Sequence, residues 1–313
     1  MRAMPAARHA LRSPSRRAVV RALAGLAPLV AFARLSAAGM DLRILTSASN
    51  DATAQIVTAL THRFPNAQAA DDVRVLAARG GPAIYLAIGP AALQAALSAD
   101  LSGPLVSAFV SSEAYLRLTA SAAPQRGRPL TGVFAEAAPS AQMQLIRRLY
   151  RRKVVVGVLL SPSTQHLRPL IERAAGDADL TVACVVVEPG TSPVRALASL
   201  TSASVLLAVP DPELYNAEVA RAILESTYRR RQGVIGFSKA MVSAGTLGAA
   251  YASIEDVVAQ LGDMVDALMA GRTVDAQYPM YWRVAINESV ARSLDVIVDA
   301  SARNLGNPSE KGP

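Results

Sequence analysis

Residues 204–237 read SVLLAVPDPELYNAEVARAILESTYRRRQGVIGF, and the fold class follows from how that stretch is punctuated. Ser204 to Val209 is an apolar run of strand length, the pattern of a parallel strand covered on both faces. Pro210-Asp211-Pro212 stops it and forces a turn. Asn216 is placed to cap the next helix, with Glu218 in the first turn where a negative charge is favoured. Ala220, Ile223, Leu224 and Thr227 recur at three- and four-residue spacing and predict one buried stripe. Arg229, Arg230 and Arg231 close the helix at its negative end, and Gly233 is read as the stop before a returning strand, Val234 to Phe237. Strand, helix and parallel strand make a right-handed crossover. The loops at the carboxyl ends of its strands stay free to hold a ligand.

The same rhythm runs in both directions from this unit. Upstream, strands are expected at Asp41–Ser47, Val73–Leu76, Ala83–Ile88 and Leu105–Val110, with helices between them. Residues 119–130 are rich in Pro, Gly, Ala and Arg without periodicity, which reads as a linker. The pattern then restarts with Thr131–Phe134, Val154–Leu160 and Thr181–Val187. Downstream, Leu247–Tyr251 and Trp282–Asn287 read as strands flanking an amphipathic helix, Ile254–Met269. The fold class is therefore α/β: two Rossmann-like lobes with parallel sheets. Residues 304–313 read as a disordered tail.

The chain has 313 residues and a net charge of +8, but residues 1–39 hold seven arginines and no acidic residue. Without that segment the charge is +1, so the basicity marks a leader and not a nucleic-acid surface. Residues 1–38 read as a signal peptide. They comprise a basic stretch to Arg21, an apolar Ala22–Phe32 too short to span a bilayer, and small residues at Ser36-Ala37-Ala38 for cleavage near Ala38. Ser15-Arg16-Arg17 leaves both the general and the twin-arginine export routes open. The single cysteine, Cys184, lies in an apolar run and reads as a small core residue. The expected location is the periplasm.

Catalytic and cofactor motifs are missing from the sequence. There is no glycine-rich phosphate loop, no paired cysteine set and no His-Glu-x-x-His. Gly236-Phe237-Ser238-Lys239-Ala240 approaches a nucleophile elbow, but no histidine follows Ser238. His62 and His166 read as surface residues. The prediction is a binding protein and not an enzyme, with no cofactor and no metal. In an open α/β sheet the ligand crevice lies at the carboxyl ends of the strands. The residues there are Ser47, Ser49, Gly89, Phe109, Ser111, Ser161, Thr164, Gln165, Asp211, Tyr215, Phe237, Ser238 and Tyr251, and they form the expected ligand-binding set. Asp211 has two readings: a carboxylate to receive an ammonium group, or a residue that shapes its turn.

From Asp41 to Leu294 the chain resembles the periplasmic substrate-binding proteins of ABC transporters, type I fold, in the branch that includes tryptophan-binding-like members. The likeness rests on Thr131-Gly132-Val133 and the helix after it, and on Val154 to Pro162. Further on it rests on Leu206 to Pro212, Val234-Ile235-Gly236-Phe237, Ala244-Gly245-Thr246-Leu247, and the ending Trp282 to Asn287 with Ala291 to Leu294. The family's aspartate-proline loop is replaced here by Val110-Ser111-Ser112-Glu113, and its glycine-threonine by Gly89-Pro90. The resemblance implies three hinge crossings, near Gly132, Leu247 and Gln277. Lobe one is then 41–130 plus 248–277, and lobe two 131–247 plus 278–300. It also implies a monomer that captures a small organic solute, an amino acid or a relative, by hinge closure and presents it to an inner-membrane permease. The alternative is a sensory module of the same fold serving a receptor or kinase.

Overall fold

A computed structural model describes residues 40–47, 50–122 and 128–310. The expected signal peptide and Ser49 lie outside the described residues.

The first sheet assembles from the amino-terminal elements: β1 (Asp41–Thr46), α1 (Asp51–Arg63), β2 (Gln68–Ala70), α2 (Val73–Ala77), β3 (Ala83–Ile88), α3 (Pro90–Ser98), β4 (Leu105–Val110), α4 (Ser112–Ser121) and β5 (Leu130–Phe134). Its strand order is β2-β1-β3-β4-β5, parallel throughout. Every residue of β3 is buried, as an all-apolar strand in mid-sheet must be when helices cover both faces. Val73–Leu76, expected as a strand, is instead the start of α2. Asp72 caps it by accepting from the Arg74 N–H, and the buried guanidinium of Arg43 donates to the carbonyls of Leu76 and Gly80 at its far end. A cap at each end outweighs the β preference of two valines.

The second sheet takes the rest. α5 (Pro139–Tyr150), β6 (Val155–Leu160), α6 (Arg168–Asp177), β7 (Thr181–Val186), α7 (Pro193–Ala196), β8 (Val205–Leu207), α8 (Ala217–Arg229), β9 (Gly233–Ile235), α9 (Lys239–Ser243) and β10 (Gly248–Tyr251) follow in order. After α10 (Ile254–Met269), the chain returns as β11 (Arg283–Ile286), α11 (Glu288–Ser293) and α12 (Ala300–Arg303). The strand order is β11-β10-β9-β8-β6-β7, and β11 runs antiparallel to β10 on an otherwise parallel sheet. Asn216 caps α8 as the sequence indicates, accepting from the Val219 N–H at 3.0 Å. The stop differs: Arg231, not Gly233, takes the left-handed conformation (φ 54°), and Gly233 opens β9. Arg231 is held there by Asp295 and leaves a glycine free to lie against the Tyr150 hydroxyl and Leu247.

The chain passes between the sheets three times. Two crossings lie one strand later than the sequence places them. Leu130–Phe134 pairs with β4, so the stretch read as a linker between lobes ends on a strand of the same sheet, and its first residues, 119–121, belong to α4. Gly248–Tyr251 pairs with β9 and β11 and so belongs to the second sheet. The crossings are therefore 135–138, 252–253 and 277–282, and they lie side by side. Phe134 N–H donates to the Gln277 carbonyl at 2.9 Å, and Glu136 bridges Tyr251. Helix α10, though it follows a second-sheet strand, packs Val257, Leu261 and Val265 into the first-sheet core with Ile44, Leu60 and Leu86. The tail is ordered as far as Glu310, against expectation. Asn307 pairs backbone to backbone with Trp282 (2.9 and 3.0 Å), and Ser309 is 7% exposed with its N–H and hydroxyl on Asp256. Residues 311–313 lie outside the described residues.

Candidate ligand edge and the crossings beneath it

Because the strands of each sheet run parallel, β11 apart, their strand-to-helix loops emerge on one edge, and most of the expected site residues stand on those two edges. In the first sheet Ser47 follows β1 and is exposed. It shares a cavity of about 540 Å³ with Thr46, Asn50, Thr53, Thr58 and Asp71, a lining rich in hydroxyls. Of that lining, the sequence points to Ser47 alone. The hydroxyls on α1 give no signal beyond helix-surface polarity. Gly89 heads α3 with φ +84°, a conformation that glycine adopts without strain. Phe109 holds φ +57° where the β4–β5 register shifts between Ala108 and Val110. An aromatic residue in that region is costly, about 1–3 kcal/mol, and the surrounding sheet must impose it. Its ring packs half-buried against the first-sheet core. Ser111 caps α4, its hydroxyl accepting from the Ala114 N–H at 3.2 Å.

The second-sheet edge is more tightly wired. Asp211, 2% exposed, accepts four hydrogen bonds. Its Oδ2 takes the Thr164 hydroxyl at 2.6 Å and the Ser161 N–H at 3.3 Å, while its Oδ1 takes the Glu213 and Leu214 N–H groups at 2.9 and 3.2 Å. Of the two readings of Asp211, the turn-shaping one describes these bonds. The carboxylate stitches the loop after β6 to the loop after β8, with all its acceptor sites in use. Ser161 and Ser163 share a hydroxyl–hydroxyl bond of 2.7 Å beside it. Gln165 projects outward and His166 holds the Ser163 carbonyl, both exposed.

Tyr215 and Phe237 meet edge to face, ring centroids 6.4 Å apart at 76°. They open a cavity of about 610 Å³ that continues between α8 and α9 past Ala220, Leu224, Ala240 and Met241. The buried Tyr215 hydroxyl has no hydrogen-bond partner, and burial, with Asp211 nearby, pushes its pKa upward. The half-buried part of the stripe read from the sequence, Ala220 and Leu224, thus faces this cavity, while Ile223 and Thr227 are fully buried. Ser238 caps α9, accepting from the Met241 N–H at 3.3 Å.

Tyr251 stands apart from both edges, on the crossings, bridged to Glu136. That glutamate is not among the residues the sequence singles out. It is 5% exposed, accepts from the Ser112 N–H and hydroxyl, and sits at the amino-terminal end of α4 where the helix dipole favours a carboxylate. Burial nevertheless raises its pKa, and the buried Glu113 adds to the rise. A lone acidic residue in the apolar run before Pro139 is the available signal. Cys184 packs half-buried against the second-sheet core, and burial raises its thiol pKa to about 11. Among the described residues no group of three His, Cys, Asp or Glu could hold a metal ion, and no helix is long and apolar enough to cross a membrane.

No side-chain hydrogen bond or ion pair among the described residues joins one ligand edge to the other. The ties between the sheets run through the crossings and α10. The fold of this chain is shared with solved proteins. One is a structure described as an ABC domain in complex with L-Trp, from Streptococcus pneumonia, at 18% identity, covering 84% of this chain and 97% of that one, with a TM-score of 0.56. Another is the ligand-free, open structure of a substrate-binding protein with adhesive properties from Clostridium difficile, at 14% identity, covering 85% and 98%, with a TM-score of 0.62. A conserved domain protein from Vibrio cholerae follows at 16% identity, covering 85% and 98%, with a TM-score of 0.55. At these identities the likeness is one of fold, the type I periplasmic binding protein architecture. No curated protein sequence matches the chain. The family model for ABC transporter substrate-binding proteins matches residues 42–304, so with both sheets and all three crossings inside the match, the chain belongs to that family.

Proposed function

We propose that the protein is the solute-capturing component of an ABC importer, exported to the periplasm, which closes its two lobes on an amino acid or a related small organic solute. By the sheets, lobe one is 41–134 with α10, and lobe two is 139–251 with β11 and the tail. The observation that carries the reading is that, among the described residues, no side-chain hydrogen bond or ion pair joins the two strand-end edges, while the crossings and α10 tie the sheets together. Such a frame changes the angle between its halves while each core stays intact. The ligand-facing set would be drawn from Ser47, Gly89, Ser111, Gln165, Tyr215, Phe237 and Ser238. Asp211, Ser161 and Thr164 hold the second edge in shape. Closure removes water from these groups, and a few hydrogen bonds in a dry cleft then suffice for tight capture. Family membership supplies the coarser part of this reading: a small-molecule solute and a transporter permease as partner.

Thermal unfolding of the purified protein against a panel of amino acids and small carboxylates tests the proposal. A solute present at 100 times its Kd stabilises the folded form by about 2.7 kcal/mol, a rise of several degrees. A flat response across the panel, with turnover of an ester or amide substrate, would overturn it. Stimulation of a reconstituted permease–ATPase by the loaded protein separates import from sensing.

A further inference from the structure

Asp256 is fully buried near the start of α10, a helix whose core belongs to lobe one. Three separate segments converge on its carboxylate. Arg283 of β11, in the second sheet, donates from Nε at 2.8 Å and Nη2 at 3.3 Å. Ser309 of the tail donates its N–H and its hydroxyl, both at 2.9 Å. Ser253, at the second crossing, donates its N–H at 3.2 Å and completes a capping box. The tail itself is rooted in lobe two. Leu305 packs into the second-sheet core, Asn307 pairs with Trp282, and the Asn307 amide donates to the Met280 carbonyl at 3.0 Å. From that root it passes over the third crossing and ends on a lobe-one carboxylate. Gly306, at φ +148°, makes the close passage over Trp282 possible, since a Cβ there would lie 2.6 Å from the Trp282 carbonyl oxygen.

We propose that residues 305–310 form a strap that sets the resting angle between the lobes, with Asp256 and Ser309 as its positioning residues. The inference rests on the hinge reading above and adds to it a named restraint. A carboxylate with bonds from Arg283, Ser309 and Ser253 is fixed in direction as well as in place. Rotation of α10 against β11 must lengthen the Arg283 or the Ser309 bonds. Charge-assisted bonds of this kind are the strong ones. The strap therefore narrows the range of angles that the unliganded protein visits, and raises the free energy of closure that a solute must supply.

The test measures the distance between the lobes without any solute. Dyes are placed at Ala91→Cys and Glu213→Cys, exposed positions on the two edges, in a Cys184→Ser background of the full chain. Single-molecule transfer efficiencies then report the spread of distances. In Ser309→Ala, and in a chain ending at Leu305, the distribution should broaden, with the fraction at short distance rising about fivefold, the scale of one lost hydrogen bond. Ser309→Thr keeps both donors and should restore the narrow distribution. Identical distributions in all four proteins would overturn the strap. Folding is checked by the melting temperature, and Ser309→Ala at the chain end leaves both cores untouched. A second arm adds the proteinogenic amino acids to the unsubstituted strap. Failure of every one to shorten the distance counts against solute capture, whereas the strap stands or falls on the solute-free distributions alone.

Discussion

Replacing Asp211 with asparagine separates its two roles. In the structure its four acceptor bonds divide evenly between the two oxygens. An asparagine keeps one oxygen, and the better use for it is the Glu213 and Leu214 N–H pair, which belong to the same turn. Its amide NH₂ then faces Thr164 and Ser161. The Thr164 hydroxyl rotates to accept, and little is lost there. The Ser161 N–H keeps its shorter bond to the Thr164 hydroxyl oxygen, 2.9 Å, and loses only the 3.3 Å bond to the carboxylate. The cost is therefore that of one weakened hydrogen bond and not of an orphaned donor, about 1 kcal/mol. At about 1 kcal/mol the protein should melt roughly 2–4 °C lower. Urea unfolding followed by far-ultraviolet circular dichroism measures the loss, and Asp211→Ala, which also takes the side-chain acceptor from the Glu213 N–H, should cost more. The reasoning fails if Asp211→Asn melts with the unsubstituted protein while losing the solute response. That result would make the carboxylate a ligand contact and the loop stitch incidental.

Glu136→Gln should stabilise the protein near neutral pH and flatten its pH dependence. Burial raises the Glu136 pKa. The unfolded chain ionises first, and the stability present below about pH 4.3 is lost as pH rises through the folded value. Melting temperatures from pH 4 to 8 should therefore diverge upward for Glu136→Gln, and parallel curves would contradict the assignment. Gly132→Ala should be strongly destabilising, since its Cβ would lie 2.5 Å from the Ser107 carbonyl oxygen and 2.8 Å from the Ser107 Cβ. The β4–β5 pair would have to part, and an unchanged urea midpoint would refute that. Tyr215→Phe removes a buried hydroxyl without a partner. Stability should hold or rise by up to about 1 kcal/mol, so any loss of solute response in this variant reports a hydrogen bond made to the solute.

The second lobe is legible in the sequence because its signals are local. The run Val205–Leu207, the Asn216 cap and the proline-flanked turn each lie within a few residues of what they determine. Ownership of the crossing strands is not legible for the opposite reason. Leu130–Phe134 and Gly248–Tyr251 are short apolar strands, each followed at once by a crossing, and their own residues carry no trace of which partner they pair with. The tail misleads in the same way. Gly306, Asn307 and Pro308 have the composition of a loose end, and what orders them is a carboxylate some fifty positions earlier, Asp256. The role of Asp211 is half legible. A carboxylate between two prolines announces a shaped turn, while its bonds to Thr164 and Ser161 depend on the β6–β8 pairing that brings two distant loops together.

The edges differ in what they leave over for a solute. Asp211, the one buried carboxylate expected to meet it, has its acceptor sites filled. Ser111 and Ser238 are caps, but a capping hydroxyl uses a lone pair and keeps its proton. Each therefore still has an O–H to donate, and the unpartnered Tyr215 hydroxyl adds a third. Helices α3 and α4 also begin at the first-sheet edge with their positive ends. These donors and positive helix ends favour a solute that brings its own acceptors. A carboxylate end in lobe one with an apolar remainder against Tyr215 and Phe237 meets both conditions. An amine-only solute meets neither, so in the proposed panel the carboxylates should stabilise the protein and the decarboxylated amines should not.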